Sequence, residues 1–300
     1  MKHFLPANPP FSLRNTIYSH GWIRLAPFEA DDANHGCRYI LRSVTGQVIE
    51  LFLTEAKDGV LINVNHELSP VDQEKIKQSV SWMLNLDLDL TDFYRLVEGE
   101  PKLRHVVKDA KGRILRSPTL FEDTIKTILT TNTSWAGTIR MVNALVKQYG
   151  SGSSSNKNRH AFPTPDQLAD TEVDILRSQT RLGYRAPYVL ELAREVASGN
   201  LDLEALKKAD MPTSELHKRL LSIKGVGNYA VANLLMILGR YDYIPIDSWA
   251  TKVVSIEWYG GKTIGPGEVE KAFAKWGAWK GLAYWFWDWA YYHIGDDQKL

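Results

Sequence analysis

The chain has a single cysteine, Cys37, among 300 residues. That excludes an internal disulfide, and it excludes a four-cysteine iron–sulfur cluster. No apolar run approaches membrane-spanning length, and the opening Met1-Lys2-His3-Phe4-Leu5-Pro6 lacks a secretory apolar core. An unsecreted protein without a membrane partner is therefore expected, cytoplasmic or nucleoid-associated in a bacterium or archaeon and nuclear in a eukaryote. His20, His35, His66, His105, His160, His217 and His293 show no metal-ligand spacing and His3 is terminal, so no metal is expected. Nor is there a large excess of one charge, since the formal net charge is +1. The distribution is uneven, however. Residues 1–110 carry 12 Lys/Arg against 15 Asp/Glu, residues 111–240 carry 18 against 12, and residues 241–300 carry 6 against 8. A local basic excess gives salt-dependent phosphate binding without making the whole surface adhesive.

What is present suffices for a large core: 44% of residues are hydrophobic and 24% charged, which suggests two domains. From about Thr16 to Asn65 the text runs in short β-rich pieces. Tyr39 to Val44 and Val48 to Leu53 are joined across Thr45-Gly46-Gln47, as in an antiparallel sheet. Ser69-Pro70 then opens a helix to about Leu84, with Ser69 as N-cap and Pro70 at the first helical position. Beyond Gly112 the pattern is helical almost throughout. The exception is the polar segment 150–160, expected to be a flexible surface loop, with Lys157 and Arg159 available to brush a polyanion. These periodicities give an α+β chain, with an N-terminal antiparallel sheet domain over 1–111 and a helical domain over 112–300.

The most informative stretch is Leu220-Leu221-Ser222-Ile223-Lys224-Gly225-Val226-Gly227-Asn228-Tyr229, followed by Ile244-Pro245-Ile246-Asp247. Apolar residues recur at helical spacing on both sides of two glycines, which predicts a helix, a tight hairpin and a second helix. Gly225 and Gly227 permit positive φ and leave bare amides at the second helix start, where a phosphate is favoured. With no strand before it, a dinucleotide or Walker loop is a poor match. Taken alone, Gly-x-Gly reads first as an ordinary helix–turn–helix corner, and Asp247 first as a helix N-cap.

Together these residues resemble the helix-hairpin-helix DNA glycosylase superfamily. The resemblance continues, in the family's order, through Gly112-Arg113-Ile114-Leu115-Arg116, Ile128 to Asn132, Phe162-Pro163-Thr164-Pro165, Leu182-Gly183-Tyr184-Arg185-Ala186 and Trp276 to Ala283. It implies that the sheet is the TATA-binding-protein-like accessory domain of the alkylation-repair and 8-oxoguanine branches. It also implies that duplex DNA with a damaged base is the partner of a monomeric base-excision-repair hydrolase, with base flipping and no cofactor required. The hairpin would accommodate a monovalent cation, as in family members.

Residue by residue, the resemblance makes Asp247 catalytic. A carboxylate beside C1′ stabilises the oxocarbenium-like charge that builds as a base leaves. Lys224, Gly225, Val226, Gly227 and Asn228 would grip DNA. Asn132 would fill the vacated stack, Tyr184 would wedge, and Arg185 would read the estranged base. A helix-terminal turn with an exposed arginine is the plainer account of Tyr184-Arg185. The family's second reading arginine is missing, since Gly137 stands there. Tyr229 occupies the position of the lysine that forms a Schiff base in bifunctional members, so a monofunctional enzyme is expected. Lys224 and Lys252 are the charges that would overturn that expectation if either reached the sugar. Tyr229, Trp249 and Trp279 are the base-pocket candidates, suited to a cationic alkylated purine. Most other tryptophans between Trp249 and Trp289 read as packing, and Asp288 as a buried hydrogen-bonded group. The alternatives are a monofunctional 8-oxoguanine enzyme or a lesion-binding protein without catalysis.

Overall fold

A computed structural model of the chain describes residues 2–289, apart from 65, 154, 155 and 157. Among the described residues five strands form: β1 (Lys2–Pro6), β2 (Glu29–Asp31), β3 (Gly36–Arg42), β4 (Val48–Ala56) and β5 (Gly59–Val64). The helices are α1 (Leu13–Ile17), α2 (Pro70–Leu84), α3 (Thr91–Val97), α4 (Arg104–Lys108), α5 (Leu120–Thr130), α6 (Trp135–Tyr149) and α7 (Pro165–Ala169). They continue with α8 (Val173–Thr180), α9 (Ala186–Ala197), α10 (Thr213–Leu221), α11 (Asn228–Ile237), α12 (Ser248–Tyr259), α13 (Pro266–Phe273) and α14 (Lys280–Trp285). Among the described residues no helix is long and apolar enough to cross a membrane.

The chain divides into two compact units, residues 1–88 with 113–207, and residues 89–112 with 208–300. This differs from the contiguous expectation of 1–111 followed by 112–300: the sheet groups with α5 to α9, while 89–112 groups with the C-terminal helices. The reason lies in packing that local periodicity does not encode.

In the first unit the sheet is antiparallel throughout, in the order β1-β5-β4-β3-β2. Strict alternation along β4 and β5 buries Ile49, Leu51, Leu53, Val60 and Ile62, one face of the pleat. Ser69 caps α2 by accepting the Asp72 amide at 3.1 Å, with Pro70 at the first helical position. Asp72 in turn accepts the Thr45 hydroxyl at 2.7 Å, tying that cap to the β3–β4 turn. Helix α5 is buried from Leu120 to Leu129, charged residues included. Its Glu122 accepts from Lys126 and from Tyr39, each at 2.6 Å, and Asp123 accepts the Trp22 indole at 2.7 Å. Buried charge is costly unless it is paired or hydrogen-bonded. Arg113 is likewise buried, and donates to the carbonyls of Asn8, Pro10, Asn85 and Leu88.

Within the segment 150–160, the described residues include two that are tied down. Gly152 bridges His160, and Arg159, whose side chain is only 14% exposed, pairs with Glu50 and with Glu29. A guanidinium committed to two sheet carboxylates is not available to brush DNA; Lys157 lies outside the described residues.

In the second unit the core is aromatic. Phe273 packs against Trp258, Trp276, Tyr284, Trp287 and Trp289 at centroid separations of 5.2–6.0 Å. Edge-to-face and tilted pairs at such distances add to simple burial. Asp288 corrects its expectation: the helix ends at Trp285, and Asp288 is exposed, with its carbonyl accepting Lys102 Nζ at 3.0 Å.

Candidate active site

In the second unit, α10 buries Leu216 and Leu220, four residues apart on one face. The turn that follows is anchored by Ile223 and Val226, both buried, with the Val226 amide donating to the Ile223 carbonyl at 3.0 Å. Val226 therefore serves the hairpin through packing, and only its backbone is available to a ligand. Gly225 adopts φ +85°, a conformation that an L side chain would strain. Gly227 does not: at φ −96° it is extended, and it stands as the N-cap of α11 with no side-chain cap among the described residues. A Cβ there would meet open space. The first amides of α11 thus lie behind a bare, exposed approach, with Lys224 and Asn228 exposed beside it. Donors of this kind, at the positive end of a helix dipole, take an anion.

Helix α11 leads through Ile244 and Pro245, both buried, to Asp247, the N-cap of α12. Asp247 is half-buried, and its Oδ1 accepts the Ala250 amide at 2.8 Å. Oδ2 has no hydrogen-bond partner among the described residues. The cap thus occupies one carboxylate oxygen and leaves the other open. The Tyr229 phenol is pushed up to about 12, first by burial and then by the negative charge of Asp247. It is neutral at any working pH.

Of the three pocket candidates, Tyr229 shares its surroundings with Asp247, and Trp249 lies two residues beyond it. Trp249 is half-buried and sits edge-on to Tyr284 and Trp289, at 6.5 and 5.7 Å. Trp279 is placed otherwise. It stacks on Phe93 and on Tyr241, each at 5.4 Å, so its rings already have partners and it is a packing residue. Lys252 is exposed on α12.

In the first unit the expected DNA-facing residues do come together. Asn132 is exposed in the α5–α6 turn with φ +47°, and its Nδ2 donates to the Tyr184 hydroxyl at 3.2 Å. Tyr184 is 49% exposed, with its ring edge-on to Tyr188 and beneath the Arg185 guanidinium. Arg185 is buried and donates to the Thr131 and Asn132 carbonyls, so in this arrangement its guanidinium is not presented to a base. Gly137 is buried in the first turn of α6, its amide donating to Ser134 Oγ at 3.2 Å, with no side chain to serve as a second arginine.

Residues 125–278 match the model of the HhH-GPD superfamily base excision DNA repair proteins. The chain belongs to that superfamily. It is 27% identical over 202 residues to the DNA-3-methyladenine glycosylase of Bacillus subtilis, covering 63% of this chain and 63% of that protein. The chain thus spans less than two thirds of the length of that curated relative. Among solved structures it is similar to the 3-methyladenine DNA-glycosylase from Archaeoglobus fulgidus, with a TM-score of 0.73 at 20% identity, over 95% of this chain and 97% of that one. It is also similar to the Clostridium acetobutylicum 8-oxoguanine glycosylase/lyase in complex with double-stranded DNA, with a TM-score of 0.66 at 20% identity, over 93% of each chain. Both likenesses are of fold.

Within this HhH-GPD chain, the residue that sequence reasoning missed is Thr131. Its carbonyl accepts both the Arg185 guanidinium and, at 3.5 Å, the Tyr184 hydroxyl. A backbone carbonyl engaged from more than fifty residues away leaves no mark on composition or spacing.

Proposed function

We propose that this chain is a monofunctional DNA glycosylase of base excision repair, acting as a monomer on duplex DNA that holds a damaged purine. The observation that carries the reading is Asp247: a carboxylate fixed by its own helix cap, with one oxygen unpartnered among the described residues, beside a neutral Tyr229 and one helix beyond an exposed glycine hairpin. The hairpin amides take a phosphate, and the target nucleotide leaves the stack. As the C1′–N bond breaks, its electron pair goes to the base and positive charge builds on the deoxyribose, where the Asp247 carboxylate stabilises it. Water adds to C1′ and gives up a proton, leaving free base and an abasic site. Tyr229 stands where an imine would need an amine, so the chain stays intact.

Alkylated purines are the leading substrates. Their cationic rings suit the faces of Tyr229 and Trp249, and their bonds are weak enough for one carboxylate. No redox or metal step enters, and the hairpin's hard carbonyl oxygens are the ligand type that would suit a monovalent cation. A monofunctional 8-oxoguanine enzyme and a lesion-binding protein are the alternatives. The experiment is incubation with duplexes carrying 3-methyladenine, 7-methylguanine, hypoxanthine or 8-oxoguanine, scoring released base and strand breaks with and without alkali. Release of the methylated bases, with breaks only after alkali, is the expected outcome. Breaks without alkali would refute the monofunctional assignment, and no release from any duplex would move the weight to lesion binding.

A further inference from the structure

Arg185 is an expensive residue where it stands. It is 6% exposed, no carboxylate among the described residues pairs with it, and its Nε is buried without a hydrogen-bond partner. Its other contacts are Met141 Sδ at 4.0 Å from Nη1, and the Tyr184 ring, whose centroid lies 4.4 Å from the guanidinium carbon. A buried cation satisfied by carbonyls alone contributes little net stability compared with an apolar side chain of similar volume. What it does hold is a turn. Nη2 donates to the Thr131 carbonyl and, at 3.1 Å, to that of Asn132, the two residues that follow α5. Asn132 has φ +47°, a conformation that asparagine tolerates but that the backbone keeps only when its surroundings fix it. Its side-chain amide then meets the Tyr184 hydroxyl at 3.2 Å, and both side chains project from the surface.

We infer that Arg185 is a positioning residue that locks the Thr131–Asn132 turn, so that Asn132 and Tyr184 form one preassembled wedge, and that it does not read the base opposite the lesion. This rests on the reading of the chain as a lesion-flipping glycosylase. Its consequence is specific: the effect of Arg185 on lesion binding is transmitted through Asn132 and is blind to the opposite base. A guanidinium contacting an orphaned base directly would instead discriminate among bases by its acceptor pattern.

The test uses the full chain and a duplex carrying a stable tetrahydrofuran abasic site opposite each of the four bases, with affinity measured by fluorescence anisotropy. Arg185→Met is expected to weaken binding by about tenfold, equally for all four opposite bases, and to add less than about twofold in an Asn132→Ala background. Affinity for undamaged duplex should stay unchanged, which a general loss of fold would not allow. Should Arg185→Met fail to fold, Arg185→Lys keeps the charge but not the fork, and is expected to show the same even pattern at about threefold. Loss confined to one opposite base, or the full loss persisting in Asn132→Ala, would overturn the inference. An even pattern in a chain that releases no base from any lesion would leave the positioning role standing and remove the glycosylase reading instead.

Discussion

The Asp247 carboxylate and the Ala250 amide meet at 2.8 Å through Oδ1 alone. This cap contact and the proposed catalytic role of Asp247 can be separated. Asparagine caps a helix about as well as aspartate, whereas alanine does not. Asp247→Asn should therefore unfold within a few tenths of a kcal/mol of the parent in urea, and Asp247→Ala about 1 kcal/mol below it. Equal stability of all three would remove the cap from the account.

The two hairpin glycines should behave differently. Gly225 holds φ +85°, so Gly225→Ala strains the turn and is expected to cost about 1 kcal/mol of stability. Gly227 is extended with open space at its Cβ position, so Gly227→Ala should cost less. It should nonetheless weaken binding to damaged and undamaged duplex alike, since a methyl then stands before the α11 amides. Thermal melts beside salt titrations of binding check both. A Gly227→Ala effect limited to one lesion would speak against phosphate contact.

Tyr229→Lys places an amine beside Asp247. Borohydride trapping of a covalent protein–DNA complex is expected for this variant and not for the parent chain. Trapping by the parent would mean that Lys224, Lys252 or another amine reaches the sugar.

Acid stability offers a test of the buried network in the first unit. Burial lowers His20 from its ordinary 6.5 to about 4, although its Nε2 donates to the Leu115 carbonyl. Burial raises Asp123 from 3.8 to about 6, against bonds from Ser117 and Trp22 and the charge of Lys126. Between pH about 4 and 6.5 the unfolded chain holds the extra proton at His20, so that group makes stability rise with pH. Between 3.8 and about 6 the folded chain holds the extra proton at Asp123, so that group makes stability fall with pH. The two slopes oppose. Relative to the parent, Asp123→Asn should leave stability climbing from pH 4 to 6.5, and His20→Gln should leave it falling from pH 4 to 6. Each trend should amount to a few kcal/mol, at about 1.4 kcal/mol per unit. Urea unfolding at pH 4, 5, 6 and 7 reads both, and slopes of the same sign in the two variants would contradict the assignment.

What the sequence disclosed was local. The alternation along β4, the Ser69-Pro70 start of α2, the paired helices around Gly225 and the cap at Asp247 each depend on a few neighbouring residues. What it concealed depends on partners far along the chain. Arg159 was open to a reading as a DNA contact until Glu50, 109 residues away, claimed it. Trp279 resembled a pocket wall because its motif does not mention Phe93. Arg185 matched a base reader in its motif, yet its guanidinium answers to Thr131. Motif and composition give such residues a place along the chain and not an orientation. The grouping of 89–112 with the C-terminal helices was hidden for the same reason.

The central claim is that the Asp247 carboxylate drives loss of the base. Its most direct test is single-turnover base release from a duplex carrying 7-methylguanine, comparing the parent with Asp247→Asn at protein concentrations that saturate binding. The account predicts a loss of about a hundredfold or more in rate, the scale on which a single preorganised charge-stabilising group acts, with affinity for the duplex held within about threefold. Undiminished release by Asp247→Asn would contradict it.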